Sequence, residues 1–313
     1  MPDMLLYDES PLAVPAFRII ALLDGEIADE ANRDALTQAY RLFEDAWGAA
    51  AYMASFHFLE HRGKIRKITP GLAADGRAFF EQSGTAYGEG LRRYGYALSE
   101  FEEPALPYFG VEQRSEMALF EIDLPAEHAH NVAFADTITD LLLGTRLICG
   151  VMGMGFFLPP YNSSLSFGMA RELERYPAAI HISPSMVMDG VRREGSMHRW
   201  TPDEQPGIAD IGWRTLIGWS FFSRLSSALA ALEREPGVST RCGEKAIAVT
   251  AGPEPVWGDA SKHESLSAYR AVARHLAPIR FPRHCARCFM FGGNAAHDEL
   301  LARRLDAYLG RFG

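Results

Sequence analysis

The chain has 313 residues, 48% of them hydrophobic and 23% charged, with 40 acidic against 31 basic residues and a net charge of −9. That length suits one large domain or two modest ones, and it buries a sizeable core without disulfide or metal staples. The acidic balance repels nucleic acid and anionic membranes and attracts basic partners, so direct nucleic-acid binding is not expected.

Arg18 to Leu23 is a short apolar run between Pro15 and Gly25 and reads as a buried strand. Asp29 stands where an N-cap belongs. Leu36, Ala39, Tyr40, Phe43 and Trp47 then recur at helical spacing, which predicts a helix over 30–47. Tyr52, Ala54, Phe56 and Phe58 alternate as in a half-buried strand, and the turn HRGK around Gly63 leads to a partner strand, KIRKIT. Phe79, Phe80, Tyr87, Leu91 and Tyr94 suggest a helix within 71–101 broken around Gly84.

Residues 100–123 are acidic, with Glu100, Glu102, Glu103, Glu112, Glu116, Glu121 and Asp123 against Arg114 alone. Within them Met117 to Leu124 makes a strand whose Phe120, Ile122 and Leu124 share a face. A helix over about 131–143 and the apolar run CGVMGMGFFL follow. This strand–helix–strand order repeats the opening one. The expected fold class is therefore α+β, or mixed α/β. A central mixed or antiparallel sheet is flanked by amphipathic helices, with room for two diverged halves divided near residue 115. Leu165, Met169, Leu173 and Tyr176 mark another helix, and 181–207 reads as an irregular, proline-bearing excursion.

The clearest succession of elements runs from Ile208 to Arg280. It reads as a strand (IADIGWRTLIG), an amphipathic helix (WSFFSRLSSALAALERE), a strand (EKAIAVTAG), the turn PEPVWGD and a helix (LSAYRAVARHL). Leu300, Leu301, Leu305, Tyr308 and Leu309 define a final helix. No linker or low-complexity segment divides the chain, so a single domain over 1–313 is expected.

Candidate chemistry is sparse. Cys285 and Cys288 (CARC) form one knuckle where a structural zinc site usually has two, and Cys149 and Cys242 stand alone. His128 and His130 could face one side of a strand as metal ligands, but a turn before a helix is the better reading. The glycines of CGVMGMGF open no helix, so close backbone packing explains them better than a dinucleotide loop. There is no GxSxG elbow, GxxxxGK[ST] loop or HExxH motif. The basic cluster His61, Arg62, Lys64, Arg66 and Lys67 lies on a hairpin tip that water would solvate anyway. We expect no catalytic residue, no cofactor and no metal. The N-terminal stretch lacks a basic region and an unbroken apolar core, no apolar run approaches the ~20 residues of a membrane span, and cysteines are few. A cytoplasmic protein is expected.

The stretch 205–281 resembles a bacterial immunity family, formerly a domain of unknown function, directed against type VI secretion effectors that carry VRR-type nuclease domains. The residues that carry the resemblance are Trp213, Arg214 and Thr215, then Gly252, Pro253 or Pro255, Gly258 and Asp259, then Tyr269, Leu276, Pro278 and Arg280. FEIDLPAEH and SFGMARELERYPAAIHIS extend a looser likeness over 117–184. Arg214, where an apolar residue is commoner, and one extra residue in the turn depart from the pattern.

The resemblance implies a non-enzymatic protein whose partner is a cognate effector toxin with a basic nuclease domain. Trp213, Thr215, Gly252, Pro253, Gly258, Asp259 and Tyr269 then read as fold markers rather than partner contacts. For the partner-facing surface the acidic stretch is the candidate, through Glu100, Glu102, Glu103, Tyr108, Phe109 and Glu112.

Overall fold

The longest strand, β2 (Ser10–Asp24), runs through the middle of the protein and is buried without interruption from Ala16 to Leu23. A strand covered on both faces reads as a continuous apolar run rather than an alternation. The predicted 18–23 strand is its core. Pro15 lies inside β2, facing Phe156, at a position where pairing on the opposite side has not yet begun; that pairing starts at Ala16. Its missing N–H therefore breaks no ladder.

The computed structural model describes residues 2–58, 61–82, 88–95, 106–128, 130–159, 168–169, 172, 174–191, 204–225, 228–281 and 299–312. One eleven-stranded sheet organises them. The strand order is β10 (Val238–Cys242), β11 (Ala246–Ala251), β9 (Arg214–Gly218), β8 (Leu147–Phe157), β2, β7 (Met117–Pro125), β6 (Tyr108–Arg114), β5 (Gly90–Tyr94), β3 (Met53–His57) and β4 (Arg66–Lys67). β1 (Leu5–Tyr7) pairs beside β2. Every described ladder is antiparallel. The fold is mixed α+β.

Two helical crossovers join strands that run the same way. α1 (Glu30–Trp47) leads from β2 to β3 past three intervening strands, and α3 (Asn131–Leu143) leads from β7 to β8 past β2 alone. Both lie on the face that carries Ile19, Phe109 and Ile122. Tyr40 and Phe43 of α1 pack their rings 5.3 Å from that of Phe109, and α3 reaches the same face through Arg214. α2 (Pro70–Gln82) packs beside α1, while α4 (Pro184–Val191) covers the opposite face of β2 and β7. α5 (Ala228–Leu232) and α6 (Ser267–Leu276) pack together against β10 and β11. α7 (Glu299–Leu309) closes the chain.

Several sequence expectations need correction. The helix foreseen within 71–101 stops at Gln82, and Leu91 and Tyr94 belong to β5. Arg93 hides that strand's alternation, because it is buried among polar partners: Tyr40 Oη at 2.8 Å, Glu44 at 3.2 Å and the Ala51 carbonyl at 2.8 Å. The foreseen 208–218 strand is ladder-forming only from Arg214, with Ile208 making a single parallel bridge to Arg280. The 219–235 helix divides into a 3-10 turn, Trp219–Arg224, and α5. Ser220 and Ser223 are weak helix formers there. The excursion over 181–207, read as irregular, contains α4: Pro184 opens it, and the Ser183 hydroxyl accepts the Met186 N–H at 3.2 Å. β10 was missed because an exposed edge strand shows no apolar alternation. Most of the 165–176 helix and the CARC segment lie outside the described residues.

Candidate functional site

The alternation of β7 assigns two carboxylates to one face. Phe120, Ile122 and Leu124 point toward α1 and α3, so Glu121 and Asp123 point the other way, and register places Arg18 of β2 directly across from Asp123. Arg18 Nε donates to Asp123 Oδ1 at 2.7 Å and Nη2 to Glu121 Oε1 at 2.8 Å. Nη1 donates to the Ile182 carbonyl at 3.0 Å. The neighbouring β8 makes room for this side chain with glycine. A Cβ on Gly155 would stand 2.7 Å from Arg18 Cδ and 2.6 Å from the Ile180 carbonyl oxygen. The glycine-rich run CGVMGMGF thus accommodates a buried arginine and a crossing backbone.

Burial, then the neighbouring Asp123, pushes the Glu121 carboxyl up to about 8, and burial also raises Asp123 against the pull of Arg18. Burial opposes the charge on Arg18, but Asp123 and Glu121 hold it protonated. One face of the group remains open in hydrogen-bonding terms: Asp123 Oδ2 is buried without a partner. Chemically, two carboxyls with raised pKa values are an acid–base pair, yet here both are engaged by one guanidinium. Such an arrangement fixes register between β2 and β7 and holds segment 180–182 onto the sheet.

The same face continues across β6 and β5. Tyr108 is buried, packed 5.2 Å from the Phe157 ring and 5.6 Å from that of Tyr94, and folds back over Gly110, where a Cβ would meet its hydroxyl at 2.5 Å. Glu112 is half-buried and pairs with Arg92 at 2.7 Å and Arg114 at 2.9 Å. Phe109 is fully buried on the helix face. These placements correct the expected partner surface: Tyr108 and Phe109 are core residues with no ring free to anchor a partner, and Glu112 is committed to two arginines. Glu100, Glu102 and Glu103 lie outside the described residues.

A second buried polar group ties α7 to the core. Tyr308 Oη donates to Asp210 Oδ2 at 2.5 Å, Arg311 pairs with Asp210 at 2.6 Å, and the His181 N–H donates to Tyr308 Oη at 3.2 Å. The His181 ring stacks on Phe156, and burial, with Arg311 nearby, lowers its pKa to about 3. His128 and His130 sit in the turn before α3, where the Asn131 N–H donates to the His128 carbonyl at 3.1 Å. Among the described residues no three His, Cys, Asp or Glu side chains converge as metal ligands. No helix among them is long and apolar enough to cross a membrane.

Comparison with solved structures now places the architecture. The chain superposes on the Pseudomonas aeruginosa T6SS protein PA0821 with a TM-score of 0.72, over 99% of this chain and 87% of that one, at 14% identity. The two share a fold. At that identity the likeness carries no residue roles. A looser match, to the toxic C-terminal tip of CdiA from Pseudomonas aeruginosa in complex with immune protein, has a TM-score of 0.24 at 10% identity. It covers 47% of this chain and 88% of that one, and supports no inference. No protein-family model and no curated protein matches the chain.

Within this fold the sequence markers occupy structural positions. Trp213 is buried against Phe17, with ring centroids 6.1 Å apart. Thr215 is buried in β9. Gly252 and Gly258 adopt φ of 87° and 73°, beside an exposed Pro253. Asp259 accepts the Ser261 N–H at 2.9 Å and its hydroxyl at 2.6 Å, and these bonds hold its carboxyl below the usual range. Tyr269 is buried beneath Phe312, and its hydroxyl accepts the Val256 N–H at 3.4 Å. The departure at Arg214 is matched within α3: its guanidinium donates to Thr139 Oγ1 and to Asp136 Oδ1, both at 2.7 Å.

Proposed function

We propose that this chain is an immunity protein that binds a cognate type VI secretion effector, a nuclease toxin, and blocks it without chemistry of its own. The observation that carries this reading is the fold it shares, over 99% of its length, with a T6SS protein. The resemblance over 205–281 supports the effector class. Net charge supports it too. A nuclease presents positive charge to hold phosphate, and an acidic surface of net charge −9 complements that charge and speeds encounter. The buried Arg18–Glu121–Asp123 group supports a scaffold role, because both carboxyls are engaged by one guanidinium that ties strands together.

The test is co-expression with the effector encoded beside this gene. Restored growth together with a stable 1:1 complex is the expected result. Absence of both would overturn the proposal. The interface should bury about 1,600 Å² or more.

A further inference from the structure

One end of the sheet gathers the C-terminus of β2, the turn between β6 and β7, the start of β8, the end of β9 and the β10–β11 turn. Backbone bonds tie these pieces into a row. Trp219 N–H donates to the Lys245 carbonyl at 2.8 Å, Asp24 N–H to the Arg146 carbonyl at 2.7 Å, and Gly25 N–H to the Glu116 carbonyl at 2.7 Å. Gly218 lets β9 close on β8, since a Cβ there would strike the Leu147 carbonyl. Trp219 emerges immediately after this close approach with 67% of its surface exposed, the largest exposure among the large hydrophobics of the described residues.

Around the tryptophan the charge is one-sided. Among the described residues Glu26, Glu116 and Glu244 are exposed and form no ion pair, while Arg146 is already neutralised by Asp24 and Asp29. Lys245 is the exposed base adjoining them. From Trp219 to Glu116 is three strand spacings, about 14 Å, within one standard interface footprint of about 800 Å² per partner. An exposed aromatic at one end of a row that carries unpaired acids has the composition of an interface hot spot, in which tryptophan anchors and charge steers.

We infer that this end of the sheet is the toxin-docking surface, with Trp219 inserting into an apolar pocket on a lysine- and arginine-rich face of the partner protein. The inference rests on the immunity reading proposed above and gives it a location. It replaces Tyr108 and Phe109 with an aromatic that is on the surface.

The test uses the full-length protein and the effector encoded beside it, the effector rendered inactive by mutation for binding measurements. Trp219→Ala should weaken binding by about 30-fold, the loss of a hot-spot aromatic. Glu26→Lys with Glu116→Lys should slow association and flatten its salt dependence. Tyr52→Ala, which removes an aromatic 41% exposed at the opposite end of the sheet, should leave affinity unchanged. Circular dichroism and thermal melts confirm that each variant folds. If the wild type binds and rescues growth while the Trp219 and charge-reversed variants bind within about twofold of it, the surface is wrong and the immunity reading stands. If the wild type neither binds nor rescues, the immunity reading fails and this surface falls with it.

Discussion

The indole Nε1 of Trp213 donates a 3.1 Å hydrogen bond to the carbonyl of Gly252. The two residues flank the paired strands β9 and β11, and the Ala251 N–H closes the same junction by donating to the Trp213 carbonyl at 2.7 Å. A residue 39 positions away in sequence thereby fixes where the turn after β11 begins.

Trp213→Phe keeps most of the packing and removes that bond, leaving the Gly252 carbonyl without its donor. Stability should fall by about 1–3 kcal/mol, and Trp213→Ala should cost about 3–5 kcal/mol. Urea denaturation reads both. A Trp213→Phe midpoint equal to the wild type's would mean that the bond contributes nothing.

Gly252 and Gly258 both adopt positive φ, but their surroundings differ. A Cβ on Gly252 meets only a carbonyl oxygen at 3.9 Å, whereas one on Gly258 would stand 2.9 Å from Ala178 N and 3.1 Å from Ala178 Cβ. Gly252→Ala should therefore cost only the conformational penalty of about 1–2 kcal/mol. Gly258→Ala should cost more, because backbone must move. Equal melting temperatures for the two variants would refute the distinction.

Arg18 sits between two buried carboxyls. Arg18→Met alone leaves Glu121 and Asp123 without a cation and should destabilise the protein by about 3–5 kcal/mol. Adding Asp123→Leu removes the stranded charge and should recover part of the loss. A double variant less stable than Arg18→Met would refute the stranded charge, and a double variant less stable than the wild type would mean that the pair contributes more than its desolvation costs.

Two buried groups set opposite pH slopes. The Glu121 carboxyl, at about 8 against an ordinary 4.5, binds a proton in the folded state that the unfolded chain has lost, so stability falls as pH rises from about 4.5 to about 8. His181, at about 3 against 6.5, is protonated first in the unfolded chain, so stability falls as pH drops from about 6.5 to about 3. Of these two groups only Glu121 titrates above pH 6.5, and Glu121→Gln should flatten the decline there. Denaturation midpoints from pH 3 to 8 check both slopes, and an unaltered alkaline limb in Glu121→Gln would exclude Glu121 as its source.

Local periodicity determined much of this protein by itself. α1 and α3 are legible at their bounds because their apolar stripes repeat every three to four residues against a core that wants one face only. β2 is legible as a continuous apolar run and β7 as an alternation, and their order with the helices implies an α+β class with a mixed or antiparallel sheet. The markers Trp213, Gly252 and Gly258 were readable as fold determinants because tryptophan packing and positive φ are local demands of a residue type. What the sequence could not decide was where polar side chains end up. Arg18, Arg93 and Arg214 carry charges that local pattern gives no partner, and each is buried because it finds its partners 40 or more residues away. Tyr108 and Phe109 sit in an acidic stretch that reads as exposed, yet the pairing of β5, β6 and β7 takes both rings into the core. Trp219 reads as part of an amphipathic helix, and only the close approach of β9 to β8 turns it outward. Exposure is set by which strands become neighbours, and that is a property of tertiary pairing that no local pattern encodes.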